Sequence, residues 1–291
     1  MAYVRRLEEQ GDGYVRSRDL RSFQFEGVPT SLLAHMKGIR VLPDSEVALT
    51  IMTTFAARPE ERPYDDDMGH DGYPRYKRMR GNPNSRENSA LRNAMVLGKP
   101  LIWFYGVGPA IYEAQSMVWA VAEEPDQEQF VIALSDDLRS QWGRDLAHPA
   151  DEVLRREYAI AETRRRLHQP RFRHRVLTAY SQQCALCRLR HPPLLDAAHI
   201  REDRDGGEPI VPNGVSMCAI HHRAFDSSLL GIRPDFVIEI RPDVMMESDG
   251  PTLLHALQGL HASELTLPRS RSAWPREDLL EERYERFRAA S

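Results

Sequence analysis

Lysine is nearly absent from this chain: Lys37, Lys77 and Lys99 are the only lysines among 39 basic residues, and the rest are arginine. Arginine's planar fork grips a phosphate at two points and stacks on bases, which a compact ammonium does not do. Net charge is also small. At −4 over 291 residues, the chain is excluded from proteins that coat nucleic acid through bulk charge, so any such contact depends on local clusters. Long apolar runs are missing, which argues against a membrane helix, and MAYVRRLEEQ at the N-terminus has no apolar signal-peptide core. Three cysteines are too few for a disulfide scaffold, so a reducing, cytoplasmic setting is expected. There is no internal repeat and no low-complexity tract. With 41% apolar residues, the length suits two domains of ordinary size, each with its own core.

All three cysteines fall in one stretch, Cys184 to Asp226, which also holds four of the eleven histidines. Cys184 and Cys187 form a C-x-x-C pair; Cys218 and His221 form a C-x-x-H pair about thirty residues later. A two-residue gap lets one tight turn aim both members at the same ion, and four such donors suit tetrahedral zinc. The competing reading, three buried cysteines and a surface histidine, leaves the paired spacing without a cause. A structural Zn²⁺ on Cys184, Cys187, Cys218 and His221 is expected.

The same stretch contains LDAAHI, PNGVSMC and HHRAFD. These segments resemble the HNH nuclease family, with its ββα-metal motif, and in particular the branch associated with restriction endonucleases. The resemblance runs from about Arg171 to Ile240. It implies His199 as general base, Asn213 as the residue that holds the loop and orients the base, and His222 as ligand of one catalytic divalent metal, Mg²⁺ or Mn²⁺. Phosphodiester hydrolysis needs an activated water and a cation where charge develops. An imidazole titrating near working pH suits proton removal, and an amide can donate and accept at once. Adjacent His221 and His222 allow one to serve the zinc and the other the catalytic metal. Many HNH sites carry an aspartate directly before the base, whereas this chain has Ala198. Asp196 is the nearest replacement ligand; its place two residues back on the strand alters how it can point, and a solvated strand-end carboxylate is an equal reading.

Along the chain, VALTIMTTF (47–55), PLIWFYGV (100–107), SMVWAVAEE (116–124) and QFVIAL (129–134) read as strands, with GVGPAIY and EEPDQEQ as turns. SRENSALRNAMVLG (85–98) predicts a helix with Leu91, Ala94 and Met95 on one face, stopped by Gly98. A boundary falls near Asp136–Asp151. A helix opening near Asp151 and ending before Pro170 follows, then a second one, RFRHRVLTAY. DFVIEI alternates as a strand, and the tail holds helices at TLLHALQGLH and REDLLEERYERFR. From Arg155 to Arg190 there are ten arginines against two acids, Glu157 and Glu162. Beside a nuclease motif, phosphate contact is the expected use, with Arg171 and Arg173 as backbone contacts.

YDDDMGHDGYPRYKRMRG (64–81) makes neither a good core nor a good strand. Its carboxylates suit an acidic surface loop or a hard-cation site. The order Tyr-x-x-Asp, a Gly-containing turn, then Tyr is similar to the base-pocket segment of SRA (SET and RING-associated) domains, and the later ENSALRNA, GKPLIWFYGV and closing hairpin follow the same order of elements, over roughly residues 35–137. The resemblance implies a crescent-shaped β fold that flips a 5-modified cytosine out of the duplex. Tyr64 and Tyr76 would stack on the base, Asp67 would accept from the exocyclic amine, and Lys77, Arg78 and Arg80 would hold the backbone. Asp65 and Asp66 are weaker contacts.

The expected fold class is α+β. An SRA/PUA-like β-barrel reader (1–140) is followed by a helical connector (141–170) and a zinc-bound HNH nuclease domain (171–291). The expected function is a type IV-like, modification-dependent restriction endonuclease. It would act on double-stranded DNA carrying 5-methylcytosine or 5-hydroxymethylcytosine, as a homodimer because one HNH site cuts one strand. Two alternatives stand beside it: an HNH endonuclease reading unmodified DNA, and a DNA-binding module whose nuclease site has decayed.

Overall fold

The chain divides after Pro170 into two units, Met1–Pro170 and Arg171–Ser291, in a computed structural model that describes residues 2–10, 13–34, 37–55, 68–143 and 149–290. The first unit contains α1 (Ala2–Gln10), β1 (Val15–Arg16), α2 (Ser17–Arg21), β2 (Gln24–Phe25), β3 (Val28–Pro29), β4 (Ile39–Val41), β5 (Ala48–Thr53), β6 (Arg75–Lys77), α3 (Arg86–Val96), β7 (Leu101–Gly108), β8 (Ile111–Glu124), β9 (Gln129–Ala133), α4 (Asp136–Gln141) and α5 (Pro149–Thr163). Its main sheet has the order β4-β5-β7-β8-β9-β6, with β1 also on β8. Every residue of β7 is buried. Leu101, Trp103 and Tyr105 enter one apolar cluster, and Ile102 and Phe104 enter another, so this central strand has cover on both faces.

β8 decides the shape of this sheet. Its first half pairs with β7 and its second with β9. Between Ser116 and Val118 the register slips, and Met117 adopts φ +63°. A bulge of this kind bends the strand and increases its twist. The sheet therefore curls. Although β4 and β6 are at opposite ends of the strand order, Tyr76 Oη of β6 donates to Gly38 O, just before β4, at 2.8 Å. A Cβ on Gly38 would lie 2.5 Å from that hydroxyl, so the close approach requires glycine. Among the described residues the sheet is a curled half-barrel. β8 also begins five residues before the expected strand, because pairing with β7 extends through most of GVGPAIY and leaves only Pro109 and Ala110 as the turn.

Helix α3 is capped by Ser85, whose hydroxyl accepts from Asn88 N, and ends at Gly98 with φ +59°. The described residues of the stretch 141–170, expected as a connector, fall in the first unit. Ala159 and Leu167 are in its core, and Thr163 Oγ1 donates to Gly72 O at 2.8 Å. Pro170 does not end a helix. The helical run continues from α5 through a π-helical turn over Arg164–His168 into α6 (Gln169–Ala179), whose second residue is Pro170.

The second unit continues with β10 (Leu195–His199), β11 (Gly214–Cys218), α7 (Ala219–Asp226), β12 (Leu230–Ile232), β13 (Ile238–Ile240), α8 (Pro242–Met246), α9 (Pro251–Ala256) and α10 (Glu277–Ala289). β10 and β11 form an antiparallel hairpin in which Leu195 faces Cys218 and His199 faces Gly214. Phe172, Val176 and Leu177 of α6, Met217 of β11, Phe225 of α7 and Leu280 of α10 share one buried core. The tail thus packs into this unit, as its apolar spacing predicts. Among the described residues no helix is long and apolar enough to cross a membrane.

Candidate functional site

The two metal-ligand pairs converge. Cys184, Cys187, Cys218 and His221 bring their ligand atoms within 4.8 Å of one another. Cys184 Sγ and Cys218 Sγ are 3.3 and 3.2 Å from His221 Nδ1, and Cys187 Sγ is 4.0 Å from Cys218 Sγ. Four donors about 2.0–2.3 Å from a tetrahedral ion would be about 3.4–3.8 Å apart, so the cluster fits a Cys₃His metal site. His221 Nε2 lies 2.7 Å from Ala256 O, the outer hydrogen bond that fixes the tautomer and turns Nδ1 toward the ion.

β10, β11 and α7 form the ββα frame around His199, Asn213 and His222. His199 ends β10, with its ring stacked on Phe172 at 3.9 Å and 16°. Its Nε2 is buried and has no hydrogen-bond partner. Burial lowers the proton affinity of this imidazole; Asp203 opposes that effect and His222 adds to it. The ring is therefore held toward its neutral form, as a general base requires.

Asn213 is 1% exposed, and all its side-chain hydrogen bonds go to the loop after His199. Oδ1 accepts from Arg201 N at 2.9 Å, while Nδ2 donates to Arg201 O at 3.0 Å and Glu208 O at 2.9 Å. The amide thereby ties both ends of that loop together without touching the imidazole. Gly207 sits inside the loop, where a Cβ would come 1.9 Å from Arg201 O, so no other residue fits.

On α7, His222 stands between two carboxylates. Its Nδ1 is 3.6 Å from Asp196 Oδ2, and its Nε2 is 3.4 Å from Asp226 Oδ2. The contact with Asp196 raises the proton affinity of His222 against the opposing effect of burial. Each carboxylate has an arginine on its other oxygen, Arg173 Nε at 3.7 Å from Asp196 and Arg283 Nη2 at 3.7 Å from Asp226. One imidazole with carboxylates beside it is a donor set for a divalent cation such as Mg²⁺ or Mn²⁺. Asp226 and Arg283 had no place in the sequence reading. Asp226 was visible as the residue four after His222, on the same helix face; Arg283 gave no signal.

Tyr64 and Asp67, with Asp65 and Asp66, lie outside the described residues. Tyr76 is 3% exposed, donates from its hydroxyl to Gly38 O, and meets Trp103 edge-on at 6.0 Å. No face of its ring is open for a base to stack on. Lys77 Nζ donates to Gln129 Oε1 at 2.6 Å and Gln127 O at 3.1 Å, and Arg78 pairs with Glu128. Arg80 is exposed and Arg171 half-buried. Arg173 Nη2 donates to Pro192 O and Leu195 O at 2.7 and 2.8 Å, which anchors β10 to α6.

Comparison with known proteins finds a family match within this second unit. Residues 184–233 match the family described as HNH endonuclease, a span that includes both metal-ligand pairs and His199, Asn213 and His222. The chain carries an HNH endonuclease domain, and its enzyme class is DNA endonuclease. Among solved structures, it is similar to "Modification dependent TagI restriction endonuclease", at 17% identity and a TM-score of 0.31, over 83% of this chain and 82% of that one. It is also similar to "Structure of the Type IV phosphorothioation-dependent restriction endonuclease ScoMcrA", at 13% identity and a TM-score of 0.23, over 88% of this chain and 59% of that one. No curated protein matches the chain significantly.

Proposed function

We propose that the chain is a type IV-like restriction endonuclease in which the first unit reads 5-methylcytosine or 5-hydroxymethylcytosine in double-stranded DNA and the HNH domain cuts nearby. The observation that carries the nuclease half is the meeting of a buried, unpartnered His199 Nε2 with Asn213 and His222 on one ββα frame. His199 takes the proton of the attacking water, and Asn213 keeps the His199 loop in place. A divalent cation, when bound, stabilises the charge that develops on the phosphate and the leaving oxygen. His222 holds it, with Asp196 facing one ring nitrogen. Zinc on the Cys₃His cluster secures the frame. Arg171 and Arg173 lie on α6 with His199's stacking partner Phe172, where a backbone phosphate would pass.

The reader half is supported by the SRA-like order of elements in residues 35–137 and by the curled sheet. In this reading the base pocket is built from Tyr64 and Asp67, with Arg80 on the backbone, and Tyr76 supports the sheet behind it. The enzyme works in the cytoplasm, and two copies cut two strands. A second reading, an HNH nuclease for unmodified DNA, gains from the burial of Tyr76, which takes one stacking face out of the expected pocket.

Matched plasmids with and without 5-methylcytosine, incubated in Mg²⁺ or Mn²⁺ buffer at stated salt, test the proposal. Cutting confined to the modified plasmid is expected. Equal cutting of both supports the second reading. No cutting of either would return the decayed-site alternative. Asp67→Ala should abolish discrimination while cleavage itself persists.

A further inference from the structure

The departure at Ala198 raises the question of where the carboxylate of the catalytic site comes from. Two stand beside His222, but on opposite ring nitrogens, Asp196 at Nδ1 and Asp226 at Nε2. An imidazole presents one nitrogen to one cation, and the other is then held by an orienting partner. So only one carboxylate shares the ion.

The frame separates the two. Along β10 successive side chains point to opposite faces, so Asp196 and Ala198 share one face and His199, the base, takes the other. Asp226 is four residues after His222 on α7, on the same helix face. It is also close enough to His199 for its charge to act on that imidazole, after the larger effects of burial, Asp203, His222 and Glu202. The 3.4 Å between His222 Nε2 and Asp226 Oδ2 falls within the spacing of two ligands on one ion, whereas the 3.6 Å between Nδ1 and Asp196 Oδ2 lies beyond it. Two ligands about 2.1 Å from one ion, at angles of about 90–110°, are about 3.0–3.4 Å apart.

Asp226 is also held in place. Arg283 of α10 is 8% exposed and donates to Phe225 O at 3.0 Å, with its guanidinium 4.6 Å above the Phe225 ring. It lies 3.7 Å from Asp226 Oδ1 and 3.3 Å from Glu202 Oε1, so Oδ2 is left to face His222. Helix α10 lies beyond the 184–233 span that matches the family.

We infer that Asp226 supplies the carboxylate that shares the catalytic cation with His222 Nε2, with Arg283 as its positioning residue and Asp196 orienting His222 through Nδ1. This rests on the proposed role of His222 as metal ligand. The test is Mn²⁺ binding to the full-length, zinc-loaded chain, read by electron paramagnetic resonance of free Mn²⁺. Zinc content and thermal unfolding serve as checks that each variant is folded. Asp226→Asn should weaken the site more than about a hundredfold, and Asp196→Asn by the smaller factor, about tenfold, typical of an orienting partner. Arg283→Met should weaken it by a similar smaller factor, with Arg283→Lys recovering part of the loss. Loss of binding in Asp196→Asn with unchanged binding in Asp226→Asn would overturn the inference and leave His222 in its role. Unchanged binding in His222→Ala would overturn the reading beneath it. Should Asp226→Asn lose its zinc, ¹⁵N resonances of His222 in the unaltered chain titrated with Cd²⁺ decide the matter: a shift at Nε2 supports Asp226, and a shift at Nδ1 supports Asp196.

Discussion

Charged side chains are arranged differently around Arg75 in the first unit and around His222 in the second. Arg75 is 5% exposed and fully engaged: Nη1 and Nη2 meet Asp71 at 3.0 Å each, and Nε and Nη2 meet Glu124 at 3.0 and 2.9 Å. Around His222 the corresponding distances are 3.4 to 3.7 Å, from Arg173 through Asp196, His222 and Asp226 to Arg283. The first network is closed, and every donor has its acceptor at hydrogen-bond length. The second is aligned but open, with spacing that admits another atom between its members. Closed buried networks fix a fold; open constellations of titratable groups in a frame are where ligands bind. The same residue types therefore close on one another in one unit and stand open in the other.

Four measurements would break or sharpen this contrast. The largest effect belongs to the Cys₃His cluster. Structural zinc contributes on the order of 10 kcal/mol to small metal-bound domains, so chelation or Cys218→Ser should unfold the second unit while the first keeps its own transition. Calorimetry resolving two transitions checks this, and a single unchanged transition would contradict it. Next, His199→Ala should lower cleavage by about 10²–10⁴ with DNA binding retained, measured by nicking and mobility shift. Loss of binding together with cleavage would instead make His199 a structural residue.

Third, Arg75→Met should destabilise the first unit by about 3 kcal/mol, because it strands two carboxylates beside the core. Tyr76→Ala should cost a similar amount, about 3–5 kcal/mol, by opening a cavity at the curl of the sheet. Denaturant melts of the first transition report both. A Tyr76→Ala protein that melts normally but no longer distinguishes modified DNA would restore Tyr76 to the base pocket.

The smallest effect is acid sensitivity. Arg92 meets Glu123 through two hydrogen bonds of 2.7 Å, and this pairing, against burial, holds the Glu123 carboxyl below its usual range. A carboxylate with a depressed folded-state value adds stability that is present above its unfolded value and fades as pH falls through the folded one. Stability of the first unit should therefore drop as pH is lowered from about 5, and Glu123→Gln should flatten that limb. A limb of unchanged slope would show that other carboxylates control it.

The sequence by itself determined what short spacing can express. The four metal donors, His199, Asn213 and His222 lie in one stretch of 39 residues, Cys184 to His222. Two-residue gaps on turns, and neighbours on one helix, place donors together whatever the rest of the chain does. The apolar runs that became β5, β7, β9 and α3 were legible for the same local reason. What depended on distant partners was not legible. Tyr76 reads as an exposed aromatic among charges until the bulge at Met117 curls the sheet and brings Gly38 onto its hydroxyl. Residues 141–170 read as a connector because amphipathic spacing does not say which core receives an apolar face such as that of Ala159 and Leu167. Arg283 is one arginine among many in a charged helix until α10 docks and sets it between Asp226, Glu202 and Phe225 O. Local geometry selected the chemistry. Only the long-range packing of side chains decided how Asp226 is held beside His222 and that Tyr76 is left inside the core.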